Sequence, residues 1–326
     1  MRVIDFHNHF YPPEYIEAIR DGPSNVKVTV DSDHNPLLHY PGDYNILVPA
    51  HRDIDFRANV LEAAGIDKQI LTFTTPGVHI ESPARSVKLA RIVNDRYAEI
   101  MRRRSNRFSA LATLPLNDPA ASVAELDRVS NGLGFRGAML FSNVNGVALS
   151  DPRFWPLYEK ADGFRTVFFI HPTTPVGVEA MTEYWLMPLI GFPYDTTLAA
   201  AKLVFSGVIE KFPGITWVLA HLGGAIPYLA ERLDRGYFAF SECRQNISRP
   251  PSEYLKRIYL DTVNFDSGAL RLAIDFAGAD HLVAGSDYPH QIGSLEKMVA
   301  SIKDLGISQK EKQDILGENA ARLLGL

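Results

Sequence analysis

The sequence predicts an α/β fold, a (β/α)8 TIM barrel with insertions in the loops of its C-terminal face. Three observations carry that expectation. Short β-branched or aromatic runs alternate with longer amphipathic stretches, the pattern of βα units around a parallel sheet. The runs number eight, which favours a closed barrel over an open doubly wound sheet. No Pro/Gly/Ser-rich linker, low-complexity tract or internal repeat interrupts the 326 residues, so one domain over 1–326 is expected.

The elements follow in order. "RVIDF" (2–6) reads as the first strand, and the first helical pattern comes only at 53–64, which leaves 10–52 as an insertion. "DKQILTF" (67–73) is the second strand, followed by a helix at 85–104. The basic run "MRRRSNR" (101–107) ends that helix, where cations complement the dipole, and it reads as a solvated helix end. "FSALATL" (108–114) with a helix at 118–130, and "FRGAMLF" (135–141) with a helix at 151–162, form the third and fourth units. After "RTVFFI" (165–170) a second insertion, 172–197, precedes a helix at 198–211. "ITWVLA" (215–220), "RIYLDTV" (257–263) with 267–277, and "HLVAGS" (281–286) with 294–304 complete the eight. A last helix, 308–323, closes the chain, with Ser308 as N-cap and Glu311 completing a capping box. Both insertions leave the C-terminal ends of strands, where barrel enzymes build their sites, so they are expected to shape the substrate pocket.

Composition narrows the function. With 46% hydrophobic and 22% charged residues the chain reads as a soluble globular protein, and no apolar run reaches the length of a membrane span. A formal charge of −5 speaks against a nucleic-acid partner, because phosphate binding wants a basic face. Cys243 is the only cysteine, which excludes an intrachain disulfide and fits a reducing compartment. The first residues lack the pattern of a signal peptide, so a cytoplasmic location is expected.

Five residues carry the chemistry. "DFHNHF" (5–10) sets His7 and His9 directly after the first strand. Side chains at i and i+2 of a strand share a face, so both imidazoles could meet one metal ion, or merely one another. His171 ends the fifth strand in "FFIHP", His221 the sixth in "VLAHLGG" and Asp287 the eighth in "AGSDYP". Strand ends converge in a barrel, and neutral imidazole and carboxylate suit zinc and related divalent ions with a position left open for water or substrate. His7, His9, His171 and Asp287 are read as metal ligands. His221 is read as a neighbour that hydrogen-bonds metal-bound water or substrate and moves a proton, with a fifth ligand as the alternative. Any one of these histidines alone would read as a hydrogen-bonded structural residue; ligand-type residues at four strand ends are hard to attribute to packing.

Other features weaken on inspection. His34, His39, His51, His79, His281 and His290 lack such placement and are expected on loops or the surface, with His290 near enough to Asp287 to line the pocket. "GLGFRG" (132–137) matches G-x-G-x-x-G but precedes a strand, so it reads as a turn. No Walker A, HExxH or G-x-S-x-G motif is present, and Cys243 reads as a bystander.

The series His7-x-His9, His171, His221 and Asp287 resembles the amidohydrolase superfamily. More narrowly, it resembles the branch of aminocarboxymuconate-semialdehyde decarboxylase and the metal-dependent aromatic acid decarboxylases. "DFHNHFYPPEY", "FSALATLPLNDP", "HPTTP", "FPYDTT", "FSGVIEKFPGI", "AHLGGAIPYLAERLDR", "RPPSEYLKRIYLDT" and "AGSDYP" carry the resemblance along nearly the whole chain, and "TPGVH" and "LFSNVNG" bring it nearest to 6-methylsalicylate decarboxylases. The resemblance implies a metal-dependent non-oxidative decarboxylase of a 2-hydroxybenzoate-like or related unsaturated carboxylic acid. It would hold one divalent ion, zinc with manganese as the other candidate. His7, His9, His171 and Asp287 would be the ligands, with His221 and Asp287 catalytic. It also implies a homodimer, in which Arg232 matches an arginine that reaches a substrate carboxylate across the interface. A second substrate-binding arginine of the branch falls at Asn45, with Arg52 near it as the one possible replacement. Relatives on this fold also open lactones or hydrate unsaturated diacids, so a hydrolase or hydratase is the alternative; a catalytically silent binding barrel is the more distant one.

Overall fold

The computed structural model describes all 326 residues, and its architecture is the barrel. The eight strands are Ile4–Asp5, Lys68–Leu71, Phe108–Ala110 resumed as Ala112–Thr113, Gly137–Phe141, Val167–His171, Thr216–Leu219, Tyr259–Asp261 and Leu282–Val283. Every neighbouring pair among them is parallel. The third strand spans the two sheet segments, with Leu111 N donating to Leu71 O at 3.0 Å, and Phe6 N donating to Ala284 O at 2.7 Å joins the first strand to the eighth. Helices cover the outside and side chains fill the inside, so a strand such as Val167–His171 is buried throughout and reads as continuous apolar sequence. Gly137 is needed where it stands, because a Cβ there would fall 2.4 Å from Val167 O of the next strand. "GLGFRG" is the turn before that strand, with Gly134 at φ +79°.

Local chemistry sets the helix starts. Asp53 accepts from Asp55 N and Phe56 N ahead of Ile54–Ala63, and Asp118 accepts from Ala121 N ahead of Pro119–Gly132. Ser308 and Glu311 form the reciprocal capping box ahead of Gln309–Gln313. The run 101–107 is a solvated helix end: Arg102 and Arg103 are exposed, and Arg103 pairs with Glu99 at 2.9 Å. No helix is long and apolar enough to cross a membrane.

Both insertions are more ordered than the sequence suggests. The first holds helix Pro13–Arg20, an antiparallel sheet of Lys27–Val30, Pro36–Tyr40 and Asp43–Ile46, and the short helix Pro49–Arg52. In the second, the helix expected at 198–211 begins earlier, as Phe192–Phe205, after a π-helical turn Met187–Gly191. Pro193 disguised that start, although proline is well tolerated in a first helical turn. Gly207 at φ +80° then separates the short helix Val208–Lys211.

A cluster of 80 buried apolar residues forms the core. Arg57 is fully buried within the fold. It donates to Ala50 O at 2.8 Å, Asn8 Oδ1 at 2.9 Å, Gln69 Oε1 at 3.1 Å and His9 O at 2.5 Å, which ties the first helix after the insertion to the His-x-His segment.

Candidate active site

The four residues read as ligands come together. One donor atom from each of His7, His9, His171 and Asp287 lies within 4.8 Å of the others, and all four side chains are buried. Ser286 N and Asp287 N donate to His7 O at 3.0 and 2.8 Å, so the ends of the first and eighth strands fix each other. Gly285 permits that approach, since a Cβ there would lie 2.7 Å from His7 Cβ. Asp287 itself turns through left-handed backbone at φ 57°.

Hydrogen bonds behind each imidazole fix which nitrogen faces the centre. His7 Nδ1 donates to Asp261 Oδ2 at 2.5 Å, and His171 Nδ1 donates to Pro172 O at 2.8 Å. The Thr72 hydroxyl donates to Asn8 O, so its oxygen is left to accept from His9 Nδ1 at 3.3 Å. All three Nε2 atoms therefore present lone pairs. Those of His7 and His9 stand 3.1 Å apart, His171 Nε2 is buried without a partner, and Asp287 Oδ1 lies 3.4 and 3.0 Å from the first two. Converging lone pairs repel unless a cation or proton lies among them, and a divalent ion fits this donor set.

The electrostatics agree for His9 and His171. Burial holds the His9 and His171 imidazoles well below their ordinary range, so both are neutral donors. Burial would also lower His7, but Asp261 reverses the sign and raises it. Burial opposes ionisation of Asp287, yet the imidazoles gathered round it, His221 and His9 first among them, hold its carboxyl well below the usual carboxylate range.

His221 Nε2 stands 3.8 Å from Asp287 Oδ2, and its Nδ1 is buried without a partner. Its backbone and that of Leu222 are left-handed, at φ 52° and 57°. Asp261 holds this turn, accepting from His221 N at 3.0 Å and Leu222 N at 2.9 Å as well as from His7. The sequence reading had not singled out Asp261; its only signal was one carboxylate inside the apolar run "RIYLDTV".

The cluster lies at a cavity of about 570 Å³, of a size for a small aromatic ligand. Phe192, Leu189 and Trp185 from the second insertion form an apolar wall, with Phe192 nearly parallel to His221 at 6.5 Å. Tyr40, Asn45 and His51 from the first insertion form a polar one, so both insertions shape the pocket as expected. Asn45 is fully committed: its Nδ2 donates to Tyr11 Oη at 2.8 Å and Thr75 O at 2.7 Å. Arg52 turns to Leu47 O at 3.0 Å and does not line its own chain's cavity. Arg232 is exposed on helix Ile226–Ala239 and does not line its own chain's cavity.

His51 departs from the sequence reading: it is buried, 2% exposed, in the short helix Pro49–Arg52. His79 lies in a turn, as expected, but is likewise 2% exposed; tertiary packing of the segments after the first two strands encloses both. His290 lines the pocket as expected, while His34 is exposed and His39 and His281 are partly exposed. Burial pushes the His79 imidazole down to about 4. Unfolded histidine titrates near 6.5, so the unfolded chain binds the extra proton first and stability falls as pH drops from about 6.5 to 4. A His79→Gln variant should lose up to about 3 kcal/mol less over that window than the parent does, as read from urea midpoints at pH 7 and pH 4.5. Equal losses would refute this assignment of the acid sensitivity.

Comparison with known proteins extends the geometry. The amidohydrolase family profile matches residues 4–326. A 2-amino-3-carboxymuconate-6-semialdehyde decarboxylase of Dictyostelium discoideum is 33% identical over 279 residues, covering 84% of this chain and 77% of its own. A 6-methylsalicylic acid decarboxylase of Penicillium expansum is 27% identical, covering 89% and 86%. Among solved structures, a dihydroxybenzoic acid decarboxylase from Polaromonas sp., with bound manganese and the inhibitor 2-nitroresorcinol, superposes with a TM-score of 0.84 at 26% identity, covering 100% of this chain and 97% of its own.

Proposed function

The chain belongs to the amidohydrolase family, and from that premise we propose that it is a metal-dependent carboxy-lyase, releasing CO2 without oxidation from a 2-hydroxybenzoate-like or related unsaturated carboxylic acid. The observation that carries this reading is the convergence of three imidazole lone pairs and a carboxylate beside an aromatic-walled pocket. Decarboxylases recur among the relatives and structural neighbours, which supports the same chemistry.

His7, His9, His171 and Asp287 hold the ion in this reading. Bound there, a divalent ion would help to hold the substrate and would stabilise developing negative charge. Direct loss of CO2 would leave an unstabilised sp2 carbanion, so the ring carbon must be protonated before the bond breaks. Asp287 is ionised at rest, so it first takes up the proton of the substrate's ortho hydroxyl and then gives it to the carbon bearing the carboxylate. The carbon–carbon bond then breaks, its electron pair restores the ring and CO2 leaves. His221, at the same carboxylate, steadies the ortho oxygen and passes it one solvent proton, which balances the reaction. Phe192 and its neighbours pack the ring and keep water from the reacting carbon.

Zinc and manganese both suit three imidazoles and a carboxylate. Manganese in the structural neighbour supports the second, and elemental analysis of purified protein decides. A homodimer belongs to this proposal, with Arg232 reaching the neighbouring pocket; exposed Tyr228 and Phe238 on the same helix support a buried partner there. The proposal also keeps one domain over 1–326, supported by the continuous core, and a cytoplasmic location, supported by the single cysteine. The test is CO2 release from a panel of 2-hydroxybenzoates, including 6-methylsalicylate, with metal-stripped protein as control. Metal-dependent release is expected. Water addition to a lactone or unsaturated diacid, with no release from any acid, would overturn the reading.

A further inference from the structure

We propose that His51 and His290 form a second recognition point in the pocket, independent of the metal, that holds an uncharged hydroxyl on the substrate ring. It rests on the carboxy-lyase reading of the same cavity. His51 is 2% exposed, and neither its Nδ1 nor its Nε2 has a hydrogen-bond partner. A buried imidazole with both nitrogens unpaired is costly and calls for a ligand group. Tyr11 N donates to His51 O at 2.7 Å, which anchors its backbone, and the ring packs between those of Tyr11 at 5.8 Å and His290 at 5.3 Å.

The position fits a substrate already anchored at the metal ligands. The His290 ring lies 5.3 Å from that of His51 and 4.7 Å from that of His9, and His51 and His290 both line the cavity. The pair thus stands beside the metal-ligand cluster, within reach of a ring substituent. Its chemistry selects the substituent. Two neutral imidazoles side by side can turn one N–H and one lone pair toward the same hydroxyl, which both accepts and donates. His51 and His290 are neutral, and no Lys or Arg of the same chain lines the cavity while Asp31, Asp33 and Asp43 do, so the pair itself suits an uncharged group better than a second carboxylate. A methyl group in the same place would leave the imidazoles unpaired.

The test is binding to metal-loaded protein of 2-nitroresorcinol against 2-nitrophenol, which differ by one hydroxyl. The parent protein should bind the resorcinol about tenfold more tightly, the worth of one good hydrogen bond. His51→Leu and, separately, His290→Phe should each bring that ratio to within about threefold of unity, with metal content unchanged. His51→Asn, which keeps a donor and an acceptor, should retain most of it. Equal affinity of the parent for the two compounds, or a ratio that survives both substitutions, overturns the assignment; so does failure of 2-nitroresorcinol to bind the metal-loaded protein. Release of CO2 is measured separately, so the carboxy-lyase reading stands or falls on its own result.

Discussion

Asp287→Asn should lower CO2 release by about three orders of magnitude, and restoring the metal should not recover it. The asparagine keeps an oxygen near His7 and His9 but can neither take the ortho-hydroxyl proton nor deliver one to the ring carbon. A positioned acid or base is worth roughly 10²–10⁴ in rate. His171→Ala separates holding the ion from moving the proton. It removes a buried Nε2 that has no other partner, so bound metal and turnover should fall together and excess metal should return part of the activity. Metal content and turnover measured on both variants, with and without saturating metal, check the pair. Near-parental turnover by metal-loaded Asp287→Asn would remove the proton role, and full activity of a metal-free His171→Ala protein would remove the metal from the mechanism.

The barrel and its ligand set were legible because their signals are local and repeat. Each strand is a short apolar run, and four strand ends carry a ligand-type residue on the face where ends converge. What resisted reading depends on contacts between distant segments. His51 gives no sign in sequence of being enclosed by Tyr11 and His290, and His79 none of packing on Phe141 at 4.5 Å. The early start of helix Phe192–Phe205 was hidden because a proline reads equally as a loop or a first helical turn. Asn45 shows the same limit at one residue. The sequence marks it as standing where an arginine was expected, but only the fold shows its amide spent on Tyr11 and Thr75.

Asp261 is the residue on which the next largest effect should fall, although it is outside the ligand set. Its carboxylate serves four donors: His7 Nδ1, His221 N, Leu222 N and Val263 N. Burial alone would raise this carboxyl, but the charge and hydrogen bond of His7 hold it below its ordinary value, so it is an anion facing donors only. In Asp261→Asn, the amide can keep an oxygen toward Leu222 N, which lies 2.9 Å from Oδ1. Its NH2 group then faces His7 Nδ1 and His221 N, two donors it cannot satisfy. His7 must move its proton to Nε2, the atom that should offer a lone pair to the ion. Metal affinity is expected to fall about 10- to 100-fold, the usual cost of losing the group that orients a metal-ligand histidine. The left-handed turn at His221 and Leu222 loses an anchor in the same substitution, so kcat should stay reduced even at saturating metal. Metal titration followed by turnover at saturation reads the two effects separately. Unchanged metal affinity would show that the His7 tautomer is set by something other than Asp261, and full kcat at saturation would show that the turn holds His221 without it.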